Sequence, residues 1–435
     1  MLDRELIRSE PDRIKAALSR RDPSLAEQID HFLALDLRRR QTQTRLDELR
    51  NQRNQVSKSI GKLKREGKEE EAQAAIARSA ELGREIGELE EELARLDEEL
   101  RGVELSLPNL PADEVPDGAT SEEGKIIKQW GELPQFSYEP ADYLTLMERH
   151  CLIDTEAAAR TSGHAFYFLR GAGARLQRAL IQFMLDLHTR LHGYTELYSP
   201  HLVRGETMVG TGQLPKFAED MYKLEGEDLW LIPTAEVSVT NYFRETIIDD
   251  PLTEPIKFVC HTPCYRREAG SYGKEVRGLL RVHQFEKVEL VNFTHPDQGR
   301  EQLEVLTAEA EAVLEKLGLA YRRKLLPAGD MTFGSAMTYD LEVWLPATGA
   351  WSEVSSASWY RDFQARRARI RFRPSPGAKP QFVHTLNASG LALPRLIAAI
   401  VESGQREDGS IALPAALEPY FGSPELVPAP ALEKK

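Results

Sequence analysis

Seam positions recur every three or four residues from Phe32 through Leu35, Leu46, Leu49, Arg53, Val56, Ile60 and Leu63, with Arg39 and Thr42 as breaks. After the segment from Gly61 to Gly67 the spacing resumes through Ala75, Ser79, Leu82, Ile86, Leu89, Leu93, Leu96, Leu100, Val103 and Leu107. A stripe of this period permits little except a coiled coil, and two long helices joined by a short turn must run antiparallel. About 35 residues per helix at ~1.5 Å rise predict an arm on the order of 50 Å long.

Charge separates between the two helices. Residues 38 to 65 carry Arg38, Arg39, Arg40, Arg45, Arg50, Arg53, Lys58, Lys62, Lys64 and Arg65 against only Asp47 and Glu48. Residues 68 to 104 carry 13 acidic and 5 basic side chains. The outgoing helix is therefore a basic stripe long enough to follow a phosphate backbone, although the whole chain has a net charge of −13. The same charges would equally serve to pair across the hairpin and keep it soluble.

Prolines 108, 111 and 116 end the heptads, because proline lacks the amide a helix needs. This divides the chain into a helical domain over 1–107, a proline-rich linker over 108–118 and a large domain over 119–421. Residues 422–435 have the composition of a disordered tail. In the large domain, apolar runs at 229–232, 256–259, 288–293 and 339–345 follow one another with few helices between them, helical periods standing at 174–191 and 298–317. That pattern predicts an α+β fold, a mostly antiparallel sheet flanked by helices.

With 41% hydrophobic and 29% charged residues, the chain has a globular composition. No apolar run approaches about 18 residues, and the charged start, Met1-Leu-Asp-Arg-Glu-Leu6, lacks the pattern of a secretion signal. A cytoplasmic protein without membrane contact is expected. Cys260 and Cys264 have no second ligand pair at zinc spacing, so no zinc is expected. Gly171-Ala-Gly173 imitates a phosphate-binding turn but lacks the remaining motif residues and is read as a helix start.

The stretch from Cys264 to Glu289 reads as strand, glycine-rich loop, strand. Arg266 and Arg281 flank the loop and suit a polyphosphate, since a guanidinium offers a fixed fork of donors and keeps its charge. Phe285 can face a base, and Glu268 and Glu289 can accept from amino groups. Downstream, Glu353-Val354-Ser355-Ser356 places a carboxylate and a hydroxyl where they can share a magnesium ion. Thr385-Leu-Asn387-Ala-Ser389-Gly390 then leads through Pro394 and Arg395 into an apolar helix. An arginine at a helix start is poorly placed for the helix dipole, which points to a ligand.

These segments, with Thr211-Gly-Gln-Leu-Pro215 and Thr234-Ala235-Glu236, resemble the bacterial-type seryl-tRNA synthetases, a class II aminoacyl-tRNA synthetase family. The similarity runs from the N-terminal hairpin to about Gly422. Motif 1 of the class matches Arg175 to Pro200, motif 2 the Arg266-x-Glu268 hairpin, and motif 3 the segment ending at Arg395. Pro394 departs from the glycine many members carry there. The resemblance implies a class II catalytic domain that activates L-serine with ATP and Mg2+, releases pyrophosphate, and transfers serine to serine tRNA. Selenocysteine tRNA is a further candidate acceptor.

The matching nucleotide positions are Arg266, Arg267, Glu268, Arg281, Val282, Phe285, Glu353, Val354, Ser355, Ser356 and Arg395. By resemblance Arg266 is the catalytic residue, gripping the α-phosphate and the serine carboxylate. Glu353 and Ser356 hold magnesium, Arg281 restrains the far phosphate, Phe285 and Arg395 sandwich adenine, and Glu268 lies near its amino group. Arg267 is not a fixed feature of the family and receives no role. Serine is expected among Thr234, Ala235, Glu236, Arg266, Glu289, Asn387 and Ser389. The basic hairpin is expected to clasp the long variable arm of the tRNA, in a homodimer whose arm reaches tRNA on the other subunit. Rival expectations are a relative that loads a carrier protein and a non-catalytic RNA-binding or coiled-coil protein.

Overall fold

The computed structural model describes residues 1–268 and 278–428, so the glycine-rich loop expected between Arg266 and Arg281 falls largely outside the described residues. The chain forms two compact units, Leu2–Pro108 and Asn109–Lys435, with Met1 belonging to the second.

In the first unit, two short helices, Arg4–Ser9 and Pro11–Ser19, bury Ile7, Ile14 and Leu18. The hairpin follows as α1, Leu25–Arg65, and α2, Glu69–Ser106. At 41 residues, α1 extends the predicted arm to about 60 Å. Leu46, Leu49, Leu82 and Ile86 form a buried cluster along the seam, with Val56, Leu89 and Leu93 packed on it. The polar breaks are accommodated: Thr42 is buried, and Arg39 pairs with Asp97 at 2.7 Å. At the tip, α1 closes on Lys62, Lys64 and Arg65 and α2 opens on Glu69, Glu70 and Glu71, each set favourable to its helix dipole.

The second unit is built on an eight-stranded sheet: β1 Lys125–Trp130, β2 Thr195–Leu197, β3 Ile256–Tyr265, β4 Gln284–Thr294, β5 Tyr321–Leu325, β6 Met337–Leu345, β7 Ala350–Trp359 and β8 His384–Ala392. Their spatial order is β1-β5-β6-β7-β8-β4-β3-β2. Every pairing is antiparallel except β2 with β3. Side chains alternate along a strand, so each strand serves two environments. Val288 and Leu290 of β4, Leu341 and Val343 of β6, and Leu386 and Ala388 of β8 enter one large apolar core. They share it with the helices α3, Ala172–Leu191, α5, Gly299–Lys316, and α6, Leu393–Ser403. The intervening residues, among them Glu289, Asp340, Asn387 and Ser389, belong to the opposite face, where the short helix α4, Ala235–Thr240, also lies.

Several boundaries differ from the sequence reading. Residues 109–118 are not a free linker. The Asn109 side-chain amide donates to the Gly334 and Tyr360 carbonyls at 2.9 and 2.8 Å, and Ala112 and Val115 enter the large core. The segment after Gly422 is structured at its start: Glu425–Leu426 pairs with Ile411–Ala412 and Leu426 is buried, while 429–435 lie outside the described residues. Gly171 is the N-cap of α3, and Pro394 sits in the first turn of α6, where a missing amide costs nothing.

Candidate active site

On the face opposite the large core lies a cavity of about 690 Å3. Its walls gather Thr234, Glu236, Arg266, Glu268, Arg281, Glu289, Glu353, Ser356, Asn387 and Ser389 from six separate chain segments. Thr211, Gly212 and Gln213 also line it. Antiparallel register does much of the assembly: Glu289 stands opposite Ser389, and Asp340 opposite Ser356. Gly390 follows Ser389 at an irregularity in the ladder, where a β-carbon would stand 3.3 Å from Leu290 and 3.5 Å from His188.

Arg266 emerges just past β3 and is held at both ends. Its amide donates to the His283 carbonyl at 2.9 Å, and its Nε to the Pro233 carbonyl at 3.3 Å. Its guanidinium lies over the Phe285 ring, 5.2 Å from the centroid. Glu268, at φ 50°, accepts an ion pair from Arg281 Nε at 3.0 Å. Arg395 reaches back from the start of α6 and donates Nη1 to the Glu353 carbonyl at 2.7 Å, with the Glu353 carboxylate at 3.6 Å.

The deepest part is a buried polar nest. Thr234 caps α4, and its Oγ1 donates to Glu289 Oε2 at 3.3 Å and accepts from the Glu236 amide at 3.2 Å. Asn387 Nδ2 donates to Glu289 Oε1 at 2.9 Å, and its Oδ1 accepts from Tyr360 Oη at 3.0 Å. Gln364 Nε2 donates to Glu236 Oε1 at 2.5 Å and is itself fixed by Thr385 Oγ1 at 2.7 Å. Burial and the nearby Glu289 push the Glu236 carboxyl up to about 7. Burial likewise raises Glu289, opposed by Lys287. An acidic corner occupies another wall, where burial and then Glu353 hold the Asp340 carboxyl well above its ordinary range, and the same two causes raise Asp330.

Four predicted positions are wall rather than lining. Ala235, Val282 and Val354 are buried apolar residues, and Ser355 is buried with its Oγ on the Ser389 carbonyl at 2.6 Å. Arg267 is exposed, with its amide on the Asp220 carbonyl at 2.9 Å. Phe285 presents its ring to the Arg266 guanidinium, and Arg395 pairs with Glu353. Sequence reasoning missed Lys287, Asp340, Tyr360 and Gln364. The first had a signal, since it lies between Phe285 and Glu289 at the two-residue period of one strand face.

On the helical unit, Arg38, Arg39 and Arg50 pair across the hairpin with Glu92, Asp97 and Glu90. Arg40 and Arg45 pair along α1, and Lys62 with Glu66 just beyond it. Arg53, Lys58 and Lys64 have no ion pair among the described residues. Pairing within the hairpin thus accounts for the base of the stripe, while Arg53, Lys58 and Lys64 farther along it are left without ionic partners among the described residues. Cys260 and Cys264 are buried on β3, where burial raises both thiols, Cys264 to about 11. No helix among the described residues is long and apolar enough to cross a membrane.

Residues 1–111 match the seryl-tRNA synthetase N-terminal domain, and residues 220–404 match the tRNA synthetase class II core domain. The serine–tRNA ligase of Thermomicrobium roseum is 50% identical, covering 98% of this chain and 95% of the relative. That of Pelotomaculum thermopropionicum is 48% identical over 97% of this chain and 99% of the relative. The crystal structure of seryl-tRNA synthetase from Pyrococcus horikoshii complexed with ATP superposes with a TM-score of 0.92 at 35% identity, covering 99% of this chain and 100% of that one. With both units matched and the similarity spanning almost the whole length, the chain belongs to the seryl-tRNA synthetase family.

Proposed function

We propose that the cavity binds ATP and L-serine, forms seryl adenylate with release of pyrophosphate, and passes the seryl group to the 3′-terminal ribose of serine tRNA. The observation that carries this reading is the convergence of Arg266, Glu353 and Ser356 with the nest of Thr234, Glu236, Glu289, Asn387 and Ser389 on one cavity. The volume, about 690 Å3, suits a nucleotide and an amino acid together. The attacking group is a carboxylate, already ionised at neutral pH, so the first step needs alignment and charge stabilisation more than a base. Arg266, clamped between Phe285 and the Pro233 carbonyl, places its donors at the junction of the two substrates. Arg281, held by Glu268, lies beside it for the outer phosphates. In the second step a ribose hydroxyl attacks the seryl carbonyl, and AMP leaves with the bonding electrons of the mixed anhydride.

The acidic corner fits a divalent cation. Among the described residues the buried Asp340 Oδ1 has no hydrogen-bond partner, and its carboxyl shares the wall with Glu353 and Ser356. Those three residues would hold Mg2+, which supplies charge neutralisation on the leaving pyrophosphate.

For the tRNA, the unpaired Arg53, Lys58 and Lys64 favour the distal part of the hairpin as the surface that meets the long variable arm, through the backbone rather than the bases. A homodimer is supported by exposed apolar residues near motif 1, Tyr198 at 90% exposure and Leu191 at 65%.

The test is amino-acid-dependent ATP–pyrophosphate exchange with serine, threonine and alanine, then charging of serine tRNA with and without its variable arm. Serine-specific exchange with arm-dependent charging is expected. Exchange without charging would favour a carrier-loading relative, and no exchange from folded protein would refute the catalytic reading.

A further inference from the structure

Lys287 is a lysine with almost no exposure, projecting from β4 into the wall of the cavity. Its Nζ donates to Thr234 Oγ1 at 2.8 Å and ion-pairs with Glu289 Oε2. The Thr234 hydroxyl is thereby saturated: it donates to Glu289 and accepts from Lys287 and from the Glu236 amide. Glu289 takes Asn387 on its other oxygen, which keeps a further acceptor site for a substrate donor. In the free protein an ammonium group thus already rests on a hydroxyl and a carboxylate that together suit a substrate amine.

Among the described residues, the remaining ionisable groups facing this pair are Glu236 from α4, Arg266, Cys260 and Cys264 from β3 and its end, and Tyr360. Two buried carboxyls share the nest, and like charges at close range drive one of them to take up a proton. Besides Lys287, the cation facing them is Arg266, which the seryl-transfer reading commits to the carboxylate and phosphate.

We propose that Lys287 is a positioning residue for amino-acid binding: its ammonium keeps Glu289 ionised and fixed against Thr234 in the free enzyme, so that the substrate's α-ammonium meets a charged, aligned carboxylate rather than a protonated one. Lys287 touches neither ATP nor the reacting atoms in this assignment. The assignment rests on the seryl-transfer reading of the cavity.

The test measures kcat/KM for serine in the exchange reaction from about pH 6.5 to 8.5 for wild type, Lys287→Met, Lys287→Gln and Lys287→Arg. ATP-induced thermal stabilisation serves as the check on folding. Expressing each variant as a ratio to wild type cancels titration of serine and ATP themselves. Removing the charge raises the pKa of the carboxyl pair, so the loss is largest at low pH. The ratio for the Met and Gln variants should rise by up to about tenfold per pH unit below the new pKa, with KM for ATP within about twofold of wild type. The Arg variant, which keeps the charge, should give a flat ratio. A flat ratio in a folded Met or Gln variant, or an equal loss in the ATP and serine parameters, would overturn the assignment alone. Absence of serine-dependent exchange in wild type would instead overturn the seryl-transfer reading and the assignment with it.

Discussion

Replacing Glu236 by glutamine should make the protein more stable at neutral and alkaline pH while disabling amino-acid activation. Glu236 is buried beside Glu289, and its carboxyl is raised from 4.5 to about 7. A carboxyl raised on folding binds its proton more tightly in the native state. Stability therefore falls as pH climbs from the unfolded value to the folded one, and the cost stays in full above it. At about 1.4 kcal/mol per unit, the full cost is on the order of 3 kcal/mol, of which about 2 kcal/mol develops between pH 5.5 and 8.5. Glutamine keeps an oxygen for the Gln364 amide and carries no charge, so it removes the cost without removing the bond. Urea unfolding of both proteins at several pH values reads the difference directly, which should widen as pH rises. A Glu236→Gln protein no more stable than wild type at about pH 8.5, or an advantage constant across pH, would refute the electrostatic account. Its serine-dependent exchange should fall by at least about a hundredfold, because a neutral amide replaces the charge that meets an ammonium group.

Glu289→Ala should impair serine activation far more than ATP binding, and unchanged serine-dependent exchange in that variant would contradict the placement of the nest around the amino acid. Neutralising Arg53, Lys58 and Lys64 together should weaken tRNA binding and lower its salt slope by about 0.7 to 0.9 per lost phosphate contact, with exchange unaffected. Filter binding across salt concentrations measures this, and an equal effect from neutralising Arg38, Arg39 and Arg40 would contradict the distal assignment. Asp340→Asn should raise the Mg2+ concentration needed for half-maximal exchange, and an unchanged metal titration would remove Asp340 from the cation site.

Much of this architecture was legible because periodicity reports burial. The three-and-four spacing from Phe32 to Leu107 located the hairpin, since only two mutually covered stripes can bury so narrow a seam. The strand runs around Val259, Leu290 and Leu341 were legible for the same reason. The site was legible where residue chemistry was conspicuous: Arg266 and Arg281 about a loop, and Glu353 with Ser356. It was not legible where a residue looks ordinary in its strand. Asp340 alternates with Tyr339 and Leu341 as a solvent-facing aspartate would, Lys287 sits among charged residues of its strand, and only the cavity makes that face an interior. Tyr360 and Gln364 enter through tertiary packing around Asn387 and Glu236, which no local pattern encodes. The basic stripe read as uniform in sequence, whereas cross-hairpin partners such as Glu92 and Asp97 depend on helix register.

Asn109 bears on where this protein can be cut. The proline-rich stretch has the look of a tether, yet the side chain of its second residue, Asn109, bridges two backbone carbonyls beside the cavity and its backbone amide donates to the Phe333 carbonyl at 3.0 Å. A truncation beginning at Asn109 would retain the catalytic unit except for Met1. One beginning at Ala119, where composition invites the cut, would strip Ala112 and Val115 from the core and remove the Asn109 amide from the carbonyls of Gly334 and Tyr360, two residues that line the cavity. The practical border between arm and enzyme therefore falls at the first proline, and the remaining prolines are part of the catalytic body.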